Sequence, residues 1–150
     1  MDLKILKTDN RNADFIELTK ILDLALQERN GESQNEYDQH NKMDHTIDAV
    51  VIYTGNMPLA CGAFKQFDFN TVEIKRVFVK SEFRGQGISK MLISQLEEMI
   101  KEQGYKFAVL ETGIKQHEAI SLYMRMDYEI TANYEPYVGM IESVCMKKSF

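Results

Sequence analysis

The chain has 150 residues and a net charge of −5, with 44% hydrophobic and 27% charged residues, values that fit one ordinary globular domain spanning residues 1–150 and argue against disorder. The acidic balance gives no general attraction to phosphate backbones, so nucleic acid is not an expected partner. No apolar run nears the roughly 18 residues of a membrane-spanning helix, and MDLKILK lacks a secretion signal's apolar region, so a cytoplasmic protein with no membrane partner is expected.

Asp2 to Lys7 alternates with Leu3 and Ile5 on one side and reads as a first strand, and Asn10 or Asn12 can cap the helix that follows. That helix sets Phe15, Leu18, Leu22, Ala25 and Leu26 at three- and four-residue spacing, one apolar stripe. Asn30 to Asp44 turns polar and reads as a long loop with a helical turn or short helix. Ile47 to Thr54 is β-branched and aromatic, Gly55-Asn56 supplies a turn, and Leu59 to Phe67 returns as the second strand of a hairpin. Val72 to Val79 makes a further strand. It is followed by a helix from about Gly87 to Gln103, a strand at Phe107 to Thr112, a helix from about Gln116 to Arg125, and strands near Tyr128 to Tyr134 and Glu142 to Lys148. This order predicts a mixed α/β fold: a mostly antiparallel central sheet flanked by helices, with Val72–Val79 and Phe107–Thr112 as a parallel pair joined by a right-handed crossover.

Cys61 and Cys145 are far apart and have no CxxC partner, so they read as small packed hydrophobes in a reducing compartment. His40 and His45 are five apart and His117 is remote, which does not assemble a zinc site, and no metal is expected.

The chemistry concentrates after the strand VEIKRVFV. There a glycine-rich turn, RGQGIS from Arg84 to Ser89, opens directly into an amphipathic helix with Ile88, Met91, Leu92, Leu96, Met99 and Ile100 inward. A helix start carries unpaired N–H groups and a partial positive charge, so it can hold a phosphate through several bonds at once. Gly85 and Gly87 permit close approach of an anion, Arg84 adds full charge, and Ser89 adds a hydroxyl. Alone, the two glycines are equally well explained as shaping a strand-to-helix turn. The segment lacks the GK[ST] ending of a P-loop and the third glycine of a dinucleotide fingerprint.

These residues resemble the GNAT superfamily of N-acetyltransferases, whose cofactor motif reads Q/R-x-x-G-x-G/A. Arg84, Gly87 and Ser89 match its spacing, with Ser89 in place of the commoner glycine or alanine. The resemblance extends to EIKRVFV before the motif, to LETG at Leu110 to Gly113, and to AISLY at Ala119 to Tyr123, so it covers about Glu73 to Tyr128 well and the N-terminal part in element order only. Asp127 stands where glycine usually precedes the aromatic, and Asp tolerates the left-handed helix-ending conformation better than most residues.

The resemblance implies a GNAT-like acyltransferase fold whose parallel strands splay, and acetyl-CoA as co-substrate. Backbone groups along Val77, Phe78 and Val79 would pair with the pantetheine arm, and the amides of Arg84, Gly85, Gln86, Gly87, Ile88 and Ser89 would wrap the pyrophosphate. It implies acetyl transfer to an amine of a small molecule or protein by direct attack in a ternary complex, with the Val77 N–H holding the oxyanion and Tyr123 protonating the departing thiolate. A catalytically silent CoA-binding or regulatory module of the same fold is the alternative, and a homodimer through the C-terminal strand is compatible with the class.

Tyr123 also falls on an apolar stripe with Ala119, Ile120, Leu122 and Met126, which on position alone core packing explains better; the resemblance is what favours the acid role. For the base, Glu73 is favoured because charge in a central strand is costly unless that face is wet; pairing of Glu73 with Lys75 or Arg76 is the other reading. Glu111 in LETG is the second choice. Tyr134, Tyr137 and the loop carrying Glu32, Glu36, Tyr37, Asp38 and Asp44 are candidate acceptor walls, or simply a solvated loop and a sheet edge.

Overall fold

The computed structural model describes residues 2–30 and 45–150. The predicted polar loop, with Glu32, Glu36, Tyr37, Asp38, His40 and Asp44, lies outside the described residues. The elements are β1 (Leu3–Asp9), α1 (Ala13–Asn30), β2 (Asp48–Thr54), β3 (Met57–Gln66), β4 (Thr71–Val79), a 3-10 turn (Ser81–Phe83), α2 (Ile88–Glu102), β5 (Phe107–Gly113), α3 (His117–Arg125), β6 (Glu129–Thr131) and β7 (Ser143–Ser149). The strands form a mixed seven-stranded sheet in the order β1-β2-β3-β4-β5-β7-β6. The predicted parallel pair is present: β4 and β5 run parallel, from Thr71↔Phe107 to Ile74↔Leu110. The edge strand β6 is shorter than the expected Tyr128 to Tyr134 because only Glu129 to Thr131 pair with β7.

The chain divides into two compact units. The first comprises Met1–Lys65 with Lys75–Glu97, and the second Gln66–Ile74 with Glu98–Phe150. In the first unit, β1 pairs antiparallel with β2 from Leu3↔Thr54 to Asp9↔Asp48, and β2 with β3 around the turn at Gly55, whose φ of 58° a glycine adopts freely. Asn12 is the cap of α1: its Oδ1 accepts the N–H groups of Asp14 and Phe15, both at 2.9 Å, two of the donors a helix start leaves unpaired. Asn10 serves a different purpose, donating to the His45 carbonyl and accepting from the Ile47 amide.

Phe15 and Leu18 of α1 pack on Ala49 and Val51 of β2, Cys61 and Ala63 of β3, and Phe78 of β4, with Leu22 at the margin. The expected stripe fades beyond that point, since Ala25 is exposed. Tyr53 in β2 donates its hydroxyl to Asp14 at 2.6 Å, tying the sheet to the first turn of α1. On β3, Gly62 lies against Leu92 and Leu96 of α2; a Cβ there would stand 2.9 Å from a Leu96 methyl, so close helix packing requires the glycine.

In the second unit β5 pairs along its full length with β7, from Phe107↔Ser149 to Gly113↔Ser143. Helix α3 ends in a paired-bond cap. The Tyr128 amide reaches back to the Tyr123 carbonyl and the Asp127 amide to the Met124 carbonyl, with Asp127 at φ 72°. This is the left-handed helix ending expected at Asp127.

Candidate functional site

Arg84 to Ser89 joins β4 to α2 within the first unit. The Lys80 amide donates to the Leu59 carbonyl, and one 3-10 turn leads to Gly85 and Gly87 at φ 77° and 79°. No heavy atom lies within 4 Å of where a Cβ would stand on either glycine, so backbone conformation and not crowding calls for them. The Met91 amide donates to the Gly87 carbonyl, which leaves the amides of Ile88, Ser89 and Lys90 ahead of that helical bond. Arg84, Gly85, Gln86 and Gly87 are exposed and Ser89 is half-buried. The result is an exposed turn, Arg84 to Gly87, leading into the start of a fifteen-residue helix, the kind of position where anions bind.

Three expectations are refined here. Ile88 is buried, so only its backbone can meet a ligand. Phe78 and Val79 likewise turn their side chains inward, with Phe78 in the core cluster, leaving backbone groups as the contribution of this strand end. Arg84 does not offer its whole guanidinium to an anion: its Nε donates to the Val79 carbonyl at 3.1 Å, so the terminal nitrogens are what it can present.

Upstream, β4 departs from regular strand geometry at Arg76, with φ 60°. Parity counted along the strand, which puts Glu73 and Lys75 on one face with Val77 and Val79, is interrupted there. The Arg76 guanidinium is nearly buried and one terminal nitrogen donates both to Asp23 at 2.6 Å and to the Thr19 carbonyl at 3.0 Å, both on α1. This pairing decides against Arg76 as the partner of Glu73. Nothing in the sequence pointed to Asp23, 53 positions away.

In the second unit, Glu73 is buried and accepts a 2.7 Å hydrogen bond from the Tyr134 hydroxyl. The Tyr134 ring meets Phe67 and Tyr137 edge-on, at 5.0 and 5.6 Å between centroids. Burial first, and then the Glu73 charge, push the Tyr134 hydroxyl far above the ordinary tyrosine range, so it stays a proton donor to the carboxylate. Asn133 steadies the following loop by donating to the carbonyls of Tyr137, Met140 and Ser143. Glu111 accepts from the Ser143 hydroxyl at 2.7 Å. Cys145 is buried beside these groups, its thiol pushed up to about 11 by burial, with both Glu111 and Glu73 adding to the rise. The second unit thus gathers Glu73, Tyr134, Glu111 and Ser143, of which Ser143 alone was not foreseen.

Tyr123 is held by the cap of α3. Its carbonyl accepts the Tyr128 amide and its ring meets that of Tyr128 edge-on at 5.4 Å. Burial raises its hydroxyl above the ordinary range. Among the described residues the hydroxyl makes no hydrogen bond, and no fully buried side-chain oxygen lacks a partner. The whole residue is 6% exposed, which is compatible with core packing as well as with a site role.

Among the described residues no cluster of His, Cys, Asp or Glu could hold a metal ion, and no helix is long and apolar enough to cross a membrane. The class defined so far is a mixed α/β protein with one parallel strand pair, in which the strand entering that pair runs on into an anion-ready helix start. The chain belongs to the acetyltransferase (GNAT) family, whose model matches residues 15–128, and this agrees with the N-acetyltransferase expectation.

Among solved structures, a candidate acyl-CoA N-acyltransferase from Klebsiella pneumoniae is 32% identical with a TM-score of 0.82, covering 98% of this chain and 97% of its own. A GNAT family acetyltransferase from Elizabethkingia anophelis, solved with acetyl-CoA bound, has a TM-score of 0.69 at 21% identity and covers 99% of this chain and 98% of its own, a likeness of fold. N-acetyltransferase family 8 member 2 of Rattus norvegicus is 41% identical over 63 residues, 42% of this chain and 28% of the rat protein's length.

Proposed function

We propose that residues 1–150 act as one acetyltransferase domain that transfers an acetyl group from acetyl-CoA to an amine of a small molecule or protein, by direct attack in a ternary complex. The observation that carries this reading is the backbone of Gly85 to Ser89: two left-handed glycines in an exposed turn that opens into the start of α2 after β4. In a family whose members use acetyl-CoA, that geometry suits its pyrophosphate. The open space beside both glycines admits a phosphate group where any side chain would intrude.

On this reading the amides of Arg84 to Ser89 hold the pyrophosphate, and backbone groups of Val77, Phe78 and Val79 pair with the pantetheine arm, whose amides need the partners a neighbouring strand would give. The Val77 N–H receives the thioester oxygen as negative charge develops on it. Glu73 takes the amine proton, directly or through water, and Tyr123 returns one to the thiolate. The hydrogen bond from Tyr134 holds the Glu73 carboxyl in a fixed orientation, which supports a positioned base. The ring of Tyr123, fixed by Tyr128, and a hydroxyl that burial keeps protonated support the acid role. A cytoplasmic location completes the proposal.

The test is acetyl-CoA-dependent thiol release across a panel of amines. Tyr123→Phe and Glu73→Gln should each lower kcat about 100-fold, the lower end of what a positioned acid or base supplies. Rates equal to wild type in both variants would overturn the role assignments. Acetyl-CoA binding without turnover of any amine would leave a CoA-binding module in place of an enzyme.

A further inference from the structure

Among the described residues two besides glycine have left-handed backbone: Asp127, which closes a helix, and Arg76, which sits inside a strand. A side chain in that conformation is strained, and such a residue persists only where its surroundings over-determine it. Three contacts do so at Arg76. Its guanidinium, 6% exposed, is gripped by the Asp23 carboxylate and the Thr19 carbonyl of α1, and its own carbonyl accepts from the Cys61 thiol of β3 at 3.5 Å. The side chain is thus anchored to a helix and the backbone to the neighbouring strand. Two residues further on, Phe78 is locked into the core cluster that α1 covers. Val77, half-buried, lies between the two anchors. Its peptide plane is aimed by the kink at Arg76 on one side and by the fixed Phe78 on the other.

We propose that Arg76 is a positioning residue: the grip of Asp23 and Thr19 on its guanidinium holds the left-handed kink in β4, and the kink aims the Val77 N–H at the thioester oxygen. This rests on the reading of Val77 as the oxyanion donor. It adds α1 to the determinants of acyl transfer, since a shift of Asp23 relative to β4 would re-aim that donor without touching the phosphate cradle.

The test uses the full chain with Asp23→Asn, Arg76→Gly and the double variant. Glycine takes φ near +60° without strain, and Asp23 is half exposed, so neither change loads the fold with a new conformational cost. Three quantities are read: kcat and KM for acetyl-CoA, the Kd for acetyl-CoA by calorimetry, and the Val77 amide resonance with acetyl-CoA bound. A misaimed donor should lower kcat about 10-fold in Asp23→Asn and up to about 100-fold in Arg76→Gly, while KM and Kd stay within about twofold. The double variant should be no worse than Arg76→Gly, because both single changes break the same grip. The acetyl-CoA-induced shift of the Val77 resonance should shrink in all three, whether or not an acceptor amine is turned over.

Wild-type kcat and an undiminished Val77 shift in Arg76→Gly would overturn the proposal, as would additive losses in the double variant. If Arg76→Gly does not fold, an undiminished Val77 shift in Asp23→Asn overturns it alone. A wild-type protein that binds acetyl-CoA without perturbing Val77 would instead refute the oxyanion reading, and the proposal with it.

Discussion

Replacing Gly87 with alanine separates a phosphate cradle from an ordinary turn. At φ 79° an alanine carries a conformational cost of about 1 to 2 kcal/mol, partly offset by about 0.4 to 1 kcal/mol from its stiffer unfolded chain. No steric term is added, because the space where the Cβ would stand is open. If the turn keeps its shape, the net loss of about 1 kcal/mol lowers the melting midpoint of the ligand-free protein by about 2 to 4 °C. If the turn relaxes to negative φ, the midpoint recovers but the amides of Ile88 and Ser89 lose their aim. Restoring the cradle on binding then weakens acetyl-CoA by the relaxed strain, about 5- to 30-fold in Kd for 1 to 2 kcal/mol. Thermal melting and calorimetric titration together capture both branches. Gly87→Asn should fall between glycine and alanine, since asparagine visits the left-handed region more readily. An alanine variant with unchanged midpoint and unchanged Kd would refute the reasoning.

Asp127→Gly should stabilise the protein by about 0.5 kcal/mol, relief of left-handed strain outweighing glycine's greater entropy loss; a rise of about 1 to 2 °C in the midpoint with kcat unchanged is the expected result. Cys61 and Cys145 are fully buried, with thiols pushed up to about 12 and about 11, burial being the main cause. At pH 8 both are protonated, so a thiol reagent should find neither in the native protein and two per chain after denaturation. The same reagent then reports released CoA without background, and rapid native labelling would contradict the burial of both side chains. Asn12→Ala removes the acceptor of two helix-start amides and should cost about 1 kcal/mol, seen as a lower midpoint with acetyl-CoA affinity unchanged.

Much of this architecture could be read locally. The β-branched and aromatic run of β2, the Gly55-Asn56 turn and the glycines ahead of Ile88 act over a few residues, and the parallel pairing of β4 with β5 follows from the helix between them. Asp127 was legible through the family resemblance, since it stands where glycine usually precedes the aromatic and Asp tolerates the left-handed region better than most residues. What escaped was set over distance. Arg76 beside Lys75 looks like a partner for Glu73, yet its left-handed backbone swings it to Asp23 on α1. The fading of the α1 stripe at Ala25 and the donation of Arg84 Nε to Val79 depend on how elements end, which periodicity does not encode. Tyr123 was readable as core or acid alike, and its burial with its ring against Tyr128 fits both.

The central claim is that Arg84 to Ser89 receives the phosphates of acetyl-CoA, and its most direct test is a titration of isotopically labelled protein followed through backbone amide resonances. The account predicts that the largest shifts fall on Gly85, Gly87, Ile88 and Ser89, and that they saturate together. Saturable binding with its largest shifts elsewhere, or no shift at these amides at any acetyl-CoA concentration, would contradict it.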